Sequence, residues 1–323
     1  MKSITNSQAF ACASPREVVK TLSEAFAKPF DSPDRMHCDL SGNDAAKLLV
    51  MPAWQGRSAI GVKVATVMPD NCKRGLPTVD GVYVLMDGQT GQVTAILEAP
   101  ALTALRTAGV SALASRLLSR ELSKTLLIVG TGALAPHMAR AHTAVRDIET
   151  VLIWGRRIAK AEETARALSD LVPTLKIEVV SQLDVAVQRA DIVSCATLSS
   201  EPLILDQWVQ PGTHLDFVGS FTPEMREADP LLFNRARAFV DTQTALKESG
   251  DLIAPQQLGL LPERLPELAE LVSGKAVGRT DDAEITLFKS VGTGLSDIAV
   301  AQYIAETLSK SEFELSGKAS RHG

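Results

Sequence analysis

The sequence predicts an α/β protein in which a doubly wound parallel sheet is inserted in a second, α+β domain. Three observations carry that expectation. Apolar, strand-like runs alternate with helix-length segments from about residue 113 to residue 290. One of those runs, Thr125-Leu126-Leu127-Ile128-Val129, ends directly on a glycine-rich turn. The first hundred residues read differently, as mixed α and β, with short strands joined by tight turns from Met36 to Leu97. Strands separated by helices of that length form parallel βαβ units, whereas strands joined by short turns pair antiparallel.

The elements follow in order. Pro15-Arg16-Glu17 opens a helical pattern, with Val18, Val19, Leu22, Ala25 and Phe26 at helix-like spacing. Strand candidates follow in HCDL, KLLVMPAW, AIGVKVATVM, GVYVLMD and TAILEA. Turns at Ser41-Gly42-Asn43-Asp44 and Asp87-Gly88-Gln89-Thr90-Gly91 separate them, the second as a hairpin connection. A long helix is expected to begin near Leu105. The βαβ region then opens with TLLIVG, a run suited to a strand buried on both faces. A helix to about Arg146, the strand TVLIWG, the helix IAKAEETARALSDL and the strand KIEVV come next. A helix near LDVAVQRA and the strands DIVSCAT, LDFVG and AFVD complete the alternation. The segment LSDIAVAQYIAETL reads as an amphipathic helix returning to the first domain. The expected division is residues 1–112 plus 295–323 for one domain and 113–294 for the other.

The turn after the buried strand is Gly130-Thr131-Gly132-Ala133-Leu134-Ala135, a GxGxxA fingerprint followed by a helical segment. Gly130 permits the sharp strand-to-helix turn, Gly132 lets the backbone approach a pyrophosphate, and Ala135 allows close helix–strand packing. Exposed N–H groups of the turn, with Ala133 and Leu134, and the helix dipole would hold the phosphates. This is the signature of a Rossmann domain binding a nicotinamide dinucleotide. At the end of the second strand stand Trp154-Gly155-Arg156-Arg157, with no acid to take a ribose 2′-hydroxyl. Two arginines there suit a 2′-phosphate, so NADPH is expected over NADH, which would bind more weakly.

Composition excludes other classes. The chain of 323 residues is 45% hydrophobic and 22% charged with a net charge of -5, which gives no footprint for nucleic acid or an anionic membrane. Cys12, Cys38, Cys72 and Cys195 show no CxxC spacing and read as reduced thiols. The five histidines form no HxxxH or HxH pair, so no metal site is expected. Neither a signal-peptide pattern nor a membrane-spanning apolar run is present in the sequence, and the cytoplasm is the expected location.

Beyond the fingerprint, the segments GVKVATVMPDN, LPTVDGVYVLMD, ALRTAGVSALAS, EPLI, VQPGTHLDFVGSFTPEMREAD, ALKESGD and FKSVGTGLSDIAVA occur in that order. As an ordered set they resemble the ornithine cyclodeaminase/μ-crystallin family from about Arg35 to Ala301. The resemblance implies a substrate-binding and dimerisation domain, a Rossmann domain inserted within it, and a homodimer. It implies that Arg35 meets the carboxylate of a small imino or amino acid, that Lys63 is the active-site lysine, and that Arg106 is a second arginine next to both substrate and cofactor. It further implies cofactor contacts at Thr78, Arg106, Thr107, Ala196, Thr197, Val218, Ser220 and Ser290, beside those expected from Gly130, Gly132, Ala133 and Leu134 of the turn and from Gly155, Arg156 and Arg157. The residue types suit these roles: a guanidinium forks onto a carboxylate, and a lysine among apolar neighbours can hold charge or a proton near an imine. Arg106 and Thr107 are expected at the opening of a helix, where free N–H groups would add to the positive field. Glu248 and Asp297 fall in recurrent family segments, and each reads equally as a helix cap or a solvated charge.

One departure from the family pattern decides among its reactions. The cyclodeaminases carry an aspartate in a G-x-D-x-P segment that handles the amine, whereas this chain has Gly219-Ser220-Phe221-Thr222-Pro223. Phenylalanine can neither take a proton nor pair with an ammonium group. Reduction of a cyclic ketimine acid needs only a clamped carboxylate, a protonated imine nitrogen and a hydride. The expected reaction is therefore NADPH-dependent reduction of Δ1-pyrroline-2-carboxylate to L-proline, extending to Δ1-piperideine-2-carboxylate and L-pipecolate. VGSFTPEMREAD is similar to the version in the family's pyrroline-2-carboxylate reductases. The alternatives are an ornithine cyclodeaminase, an alanine dehydrogenase, or a non-catalytic NADPH-dependent binding protein of μ-crystallin type.

Overall fold

The computed structural model describes residues 1–33, 35–40 and 46–319. It divides into two compact units, Met1–Arg106 with Thr293–Gly323, and Thr107–Gly292. The division falls inside a helix, earlier in the chain than the expected 112/113 boundary.

The first unit contains β1 (Lys2–Ile4), α1 (Asn6–Cys12), α2 (Pro15–Phe26), β2 (Met36–Asp39), β3 (Lys47–Gln55), β4 (Ala59–Val67), β5 (Val79–Asp87) and β6 (Val93–Glu98). β1 and α1 went unread in the sequence because both are short. A capping box between Thr5 and Gln8 starts α1. The sheet order is β1-β6-β5-β4-β3-β2, antiparallel except for the parallel β1–β6 pair. The β5–β6 hairpin is held by Asp87, whose Oδ1 accepts from the N–H groups of Gln89 and Thr90 and from the Thr90 hydroxyl. The turn expected at residues 41–44 lies outside the described residues.

Along β4 burial alternates, with Ala59, Gly61, Lys63 and Ala65 on the covered face. The C-terminal helix Gly294–Ala319 packs on α2, β3 and β4. Val18, Val19, Leu22 and Phe26 of α2 meet a core that includes Leu85, Leu97, Ile298 and Ile304.

α3 (Ala99–Leu118) links the two units. It begins well before the expected start near Leu105, because Pro100 sits in the first turn, where its missing N–H costs no helical bond. Arg106 and Thr107 therefore lie in mid-helix, and the expected field from free N–H groups at their position is corrected.

The second unit runs β7 (Thr125–Val129), α4 (Ala135–Thr143), β8 (Thr150–Trp154), α5 (Ile158–Leu171), β9 (Lys176–Val179), α6 (Leu183–Arg189), β10 (Ile192–Cys195), β11 (His214–Phe217), β12 (Ala236–Val240), α7 (Ala245–Glu248), α8 (Gly250–Gln257), α9 (Leu268–Val272) and β13 (Ile285–Lys289). All pairs are parallel in the order β12-β13-β11-β10-β7-β8-β9. The chain moves outward from β7 through β8 to β9, then restarts on the other side at β10. That reversal beside β7 is the switch point where doubly wound sheets bind ligands. The fold class is thus α/β, with a parallel sheet of Rossmann type and a second, mostly antiparallel unit. β13 went unread: its five residues are all buried and carry no alternation to mark a strand.

Candidate active site

In the second unit the parallel ladder brings five strand ends together, those of β8, β7, β10, β11 and β13. Gly130 N–H donates to the Trp154 carbonyl at 2.9 Å, Ala196 N–H to Val129 at 3.0 Å, Val218 N–H to Cys195 at 2.9 Å and Ser290 N–H to Phe217 at 3.0 Å. The sequence-selected residues Gly130, Ala196, Thr197, Val218, Ser220 and Ser290 thus gather at the carboxyl edge of one sheet. Gly130 has φ +115°, a conformation that L side chains rarely adopt, and an added Cβ would stand 2.8 Å from the Ala196 carbonyl oxygen. Gly132 and Ala133 are exposed, and a Cβ at Gly132 would meet nothing within 4 Å. No side chain caps the N-terminus of α4. A bare, glycine-lined helix start with room above it fits a dinucleotide pyrophosphate. Gly155 follows β8, and Arg156 and Arg157 after it are both exposed, with Arg157 at the N-cap of α5.

The first unit holds the cations. Lys63 Nζ, buried on β4, donates to both carboxylate oxygens of Asp297 at 2.7 and 3.0 Å. Arg106 Nε lies 3.1 Å from Asp297 Oδ1. Asp297 is fully buried in the first turn of the C-terminal helix, where the dipole favours a negative charge. The carboxylate left open in sequence as cap or solvated charge is therefore the partner of both cations. Burial, then Arg106, lowers the Lys63 ammonium to about 8, and Asp297 opposes them. Burial alone would raise Asp297, but Lys63 and Arg106 outweigh it and hold the carboxyl below its ordinary range. Arg35, half-buried before β2, is close enough for its charge to act on both Lys63 and Asp297. The sheet register pairs Lys63 with Tyr83, whose buried hydroxyl has no hydrogen-bond partner among the described residues. Burial first, and Asp297 second, raise the phenol, which keeps it a neutral donor. Thr78 precedes β5 in this unit, its carbonyl accepting from Met68 N–H.

Ser194, Asp216 and His142 also meet inside the second unit. The serine hydroxyl donates to Asp216 Oδ2 at 2.7 Å, and His142 Nε2 lies 3.4 Å from that same oxygen. The serine bonds the acid rather than the histidine, and all three are wholly buried. This is internal packing, not a nucleophile with its base.

Sequence reading missed Tyr83, Glu227, Asp251 and Lys289, all buried. The available signal was a lysine or tyrosine at an inward position of an apolar strand. Glu227 lies in a polar loop with no period to mark it.

Comparison with known proteins gives a consistent answer. A family model described as the ornithine cyclodeaminase/mu-crystallin family matches residues 7–312. A Δ(1)-pyrroline-2-carboxylate reductase of Colwellia psychrerythraea is 37% identical over 95% of this chain and 99% of its own. The structure of Thermococcus litoralis Δ(1)-pyrroline-2-carboxylate reductase in complex with NADH and L-proline superposes with a TM-score of 0.92 at 32% identity, covering 97% of this chain and 98% of that one. An archaeal alanine dehydrogenase dimer with bound NAD follows at a TM-score of 0.88 and 27% identity, over 96% and 97% of the two chains. The chain belongs to the ornithine cyclodeaminase/mu-crystallin family.

Proposed function

We propose that this protein is an imine reductase that uses NADPH to reduce Δ1-pyrroline-2-carboxylate to L-proline, with Δ1-piperideine-2-carboxylate as a second substrate. The observation that carries the reading is the buried Lys63–Asp297–Arg106 cluster, with Arg35 within electrostatic reach. Its cations outnumber its one carboxylate, so it suits one further anion, the substrate carboxylate. Arg35 and Arg106 clamp that carboxylate, and Tyr83 is an unspent hydrogen-bond donor beside them. Lys63 holds a proton for the imine nitrogen: with an ammonium near 8 it is charged at neutral pH yet parts with its proton readily. Asp297 keeps the ammonium aimed. The nicotinamide supplies the hydride, and the proton and hydride together convert C=N to CH–NH. Phe221, half-buried after β11, offers no carboxylate for a cyclodeaminase step.

NADPH preference rests on Arg156 and Arg157, exposed at the end of β8. The free thiols of Cys12, Cys38 and Cys195 suit the cytoplasm. No helix among the described residues is long and apolar enough to cross a membrane.

The working form in this reading is a homodimer. The outer face of the first sheet carries Val50 paired with Val64, Val62 with Val84, and Val84 with Ile96, flanked by exposed Trp54 and Val82. A contiguous apolar sheet face of this kind requires a cover, and the alanine dehydrogenase neighbour is itself a dimer. Light scattering on the purified protein tests it: a monomer mass would refute the dimer.

The decisive assay measures NADPH and NADH oxidation with pyrroline-2-carboxylate, piperideine-2-carboxylate, and pyruvate plus ammonia side by side. Turnover of the cyclic imines supports the reading. Turnover of pyruvate plus ammonia alone, or ammonia release from ornithine without net cofactor change, would overturn it.

A further inference from the structure

The second unit contains a buried acid for which the reaction above has no use. Glu227, wholly buried in the loop between β11 and β12, reaches two strand ends at once. Its Oε1 accepts from the Thr197 N–H at 2.6 Å and from the Thr197 hydroxyl at 2.8 Å. Its Oε2 accepts from the Gly219 N–H at 2.6 Å. Thr197 follows β10 and Gly219 follows β11, so the carboxyl group bridges the gap between neighbouring strands. Gly219 has to be glycine: an added Cβ would lie 1.9 Å from the Thr197 carbonyl oxygen and 2.5 Å from Glu227 Oε1. The bridge is anchored from behind. Asp251 Oδ1 accepts from the N–H groups of Glu227 and Ala228 at 2.7 and 2.9 Å, and its Oδ2 lies 3.2 Å from Lys289 Nζ. The Ser220 hydroxyl donates to the Met225 carbonyl at 2.6 Å and pairs with Ser249 at 2.8 Å.

We propose that Glu227 is a positioning residue for the dinucleotide, its carboxylate setting the spacing of Thr197 and Gly219–Ser220, and that protonation of this carboxylate loosens cofactor binding. The proposal rests on reading these strand ends as the dinucleotide site. Burial pushes the Glu227 carboxyl up to about 7; Lys289 opposes this, Asp251 adds to it, and the bonds from Thr197 oppose it. A further titratable neighbour is Cys195 at the end of β10, itself raised first by burial and then by Glu227. Above pH 7 the ionised carboxyl accepts all three charge-assisted bonds. Below it one oxygen becomes an O–H donor, and the arm to Gly219 weakens.

NADH is the suitable probe, because it lacks a 2′-phosphate that would itself titrate at about pH 6. The window is pH 6.5 to 8.5, which avoids His137, lowered below its usual value chiefly by burial. NADH affinity of the full-length wild type should weaken severalfold from the top of the window to the bottom. Glu227→Gln presents an amide N–H to Gly219 and mimics the protonated acid. It should bind NADH about tenfold more weakly at pH 8.5, a free-energy change of about 1.4 kcal/mol, with no pH step. The KM for the imine substrate should stay within a factor of about two, because its clamp does not involve Glu227. An NADH affinity flat with pH in the wild type, or a Glu227→Gln variant with wild-type affinity and pH response, overturns the role while the site stands. Should Glu227→Gln fail to fold, the wild-type profile alone decides. A wild type that binds neither NADH nor NADPH overturns the reading of the strand ends, and this role with it.

Discussion

Around Asp297 in the first unit, Lys63 and Arg106 with Arg35 nearby face a single carboxylate, whereas around Lys289 in the second unit one ammonium faces the carboxyl groups of Asp251 and Glu227. Both clusters are buried, so each must meet the cost of removing charge from water. The second does so internally: backbone N–H groups of Thr197, Gly219, Glu227 and Ala228 bond both Glu227 oxygens and Asp251 Oδ1, and Asp251 Oδ2 faces Lys289 as an ion pair. The first retains surplus positive charge, a lowered lysine and a tyrosine hydroxyl without a hydrogen-bond partner among the described residues. A buried cluster with surplus positive charge is arranged for an anionic ligand, whereas one whose carboxyl groups are held by backbone N–H groups fastens the chain to itself.

The strongest test of that distinction is Lys63→Ala. If the surplus charge is catalytic, kcat should fall by about 10² to 10⁴ with dinucleotide affinity unchanged, measured by steady-state kinetics and NADPH fluorescence. Near-normal turnover would make the first cluster scaffolding like the second. Asp297→Asn comes next. Removing the single carboxylate leaves Lys63 and Arg106 buried and uncompensated, a loss of about 3–5 kcal/mol in urea unfolding. The depressed carboxyl also sets a sign: its stabilisation is present above the ordinary carboxylate range and is lost as pH falls through the folded value. The variant should lack that acid-side decline.

A smaller effect is expected from Arg156→Ala combined with Arg157→Ala. NADPH affinity should drop about tenfold or more while NADH affinity barely changes, since a charged hydrogen bond contributes about 1.5–3 kcal/mol. Equal losses for both dinucleotides would assign the arginines to a general basic turn. The gentlest test is the pH profile of kcat/KM, which reports the free enzyme. With Lys63 near 8, the rate should turn down as pH rises through that value, and Lys63→Arg should remove the turn.

Legibility followed local physics. TLLIV followed by GxGxxA could be read because a buried strand, a turn and a helix start are consecutive in the chain. α5, Ile158–Leu171, was read at its observed bounds because its apolar spacing is regular over several turns. α3 was started too late because Ala99-Pro100-Ala101 carries no strong periodic signal. β13 was missed because uniform burial leaves no period to see. Among site residues, Lys63 and Arg106 stand in an ordered family pattern, whereas Asp297 in sequence fits a helix cap equally well and Glu227 lies in a polar loop without a period.

The sequence by itself determined the α/β class, the glycine-rich turn after a buried strand, the paired arginines after β8 and the absence of an acid at Phe221. Each depends on residues adjacent in the chain, where backbone geometry and side-chain chemistry act together. Only the tertiary structure decided that Asp297 serves Lys63, 234 positions away, rather than capping a helix for solvent. It also decided that Glu227 bridges Thr197 and Gly219 across two strands. Ion pairs and buried acceptors depend on which groups share a low-dielectric interior, and that is settled when the sheets pack.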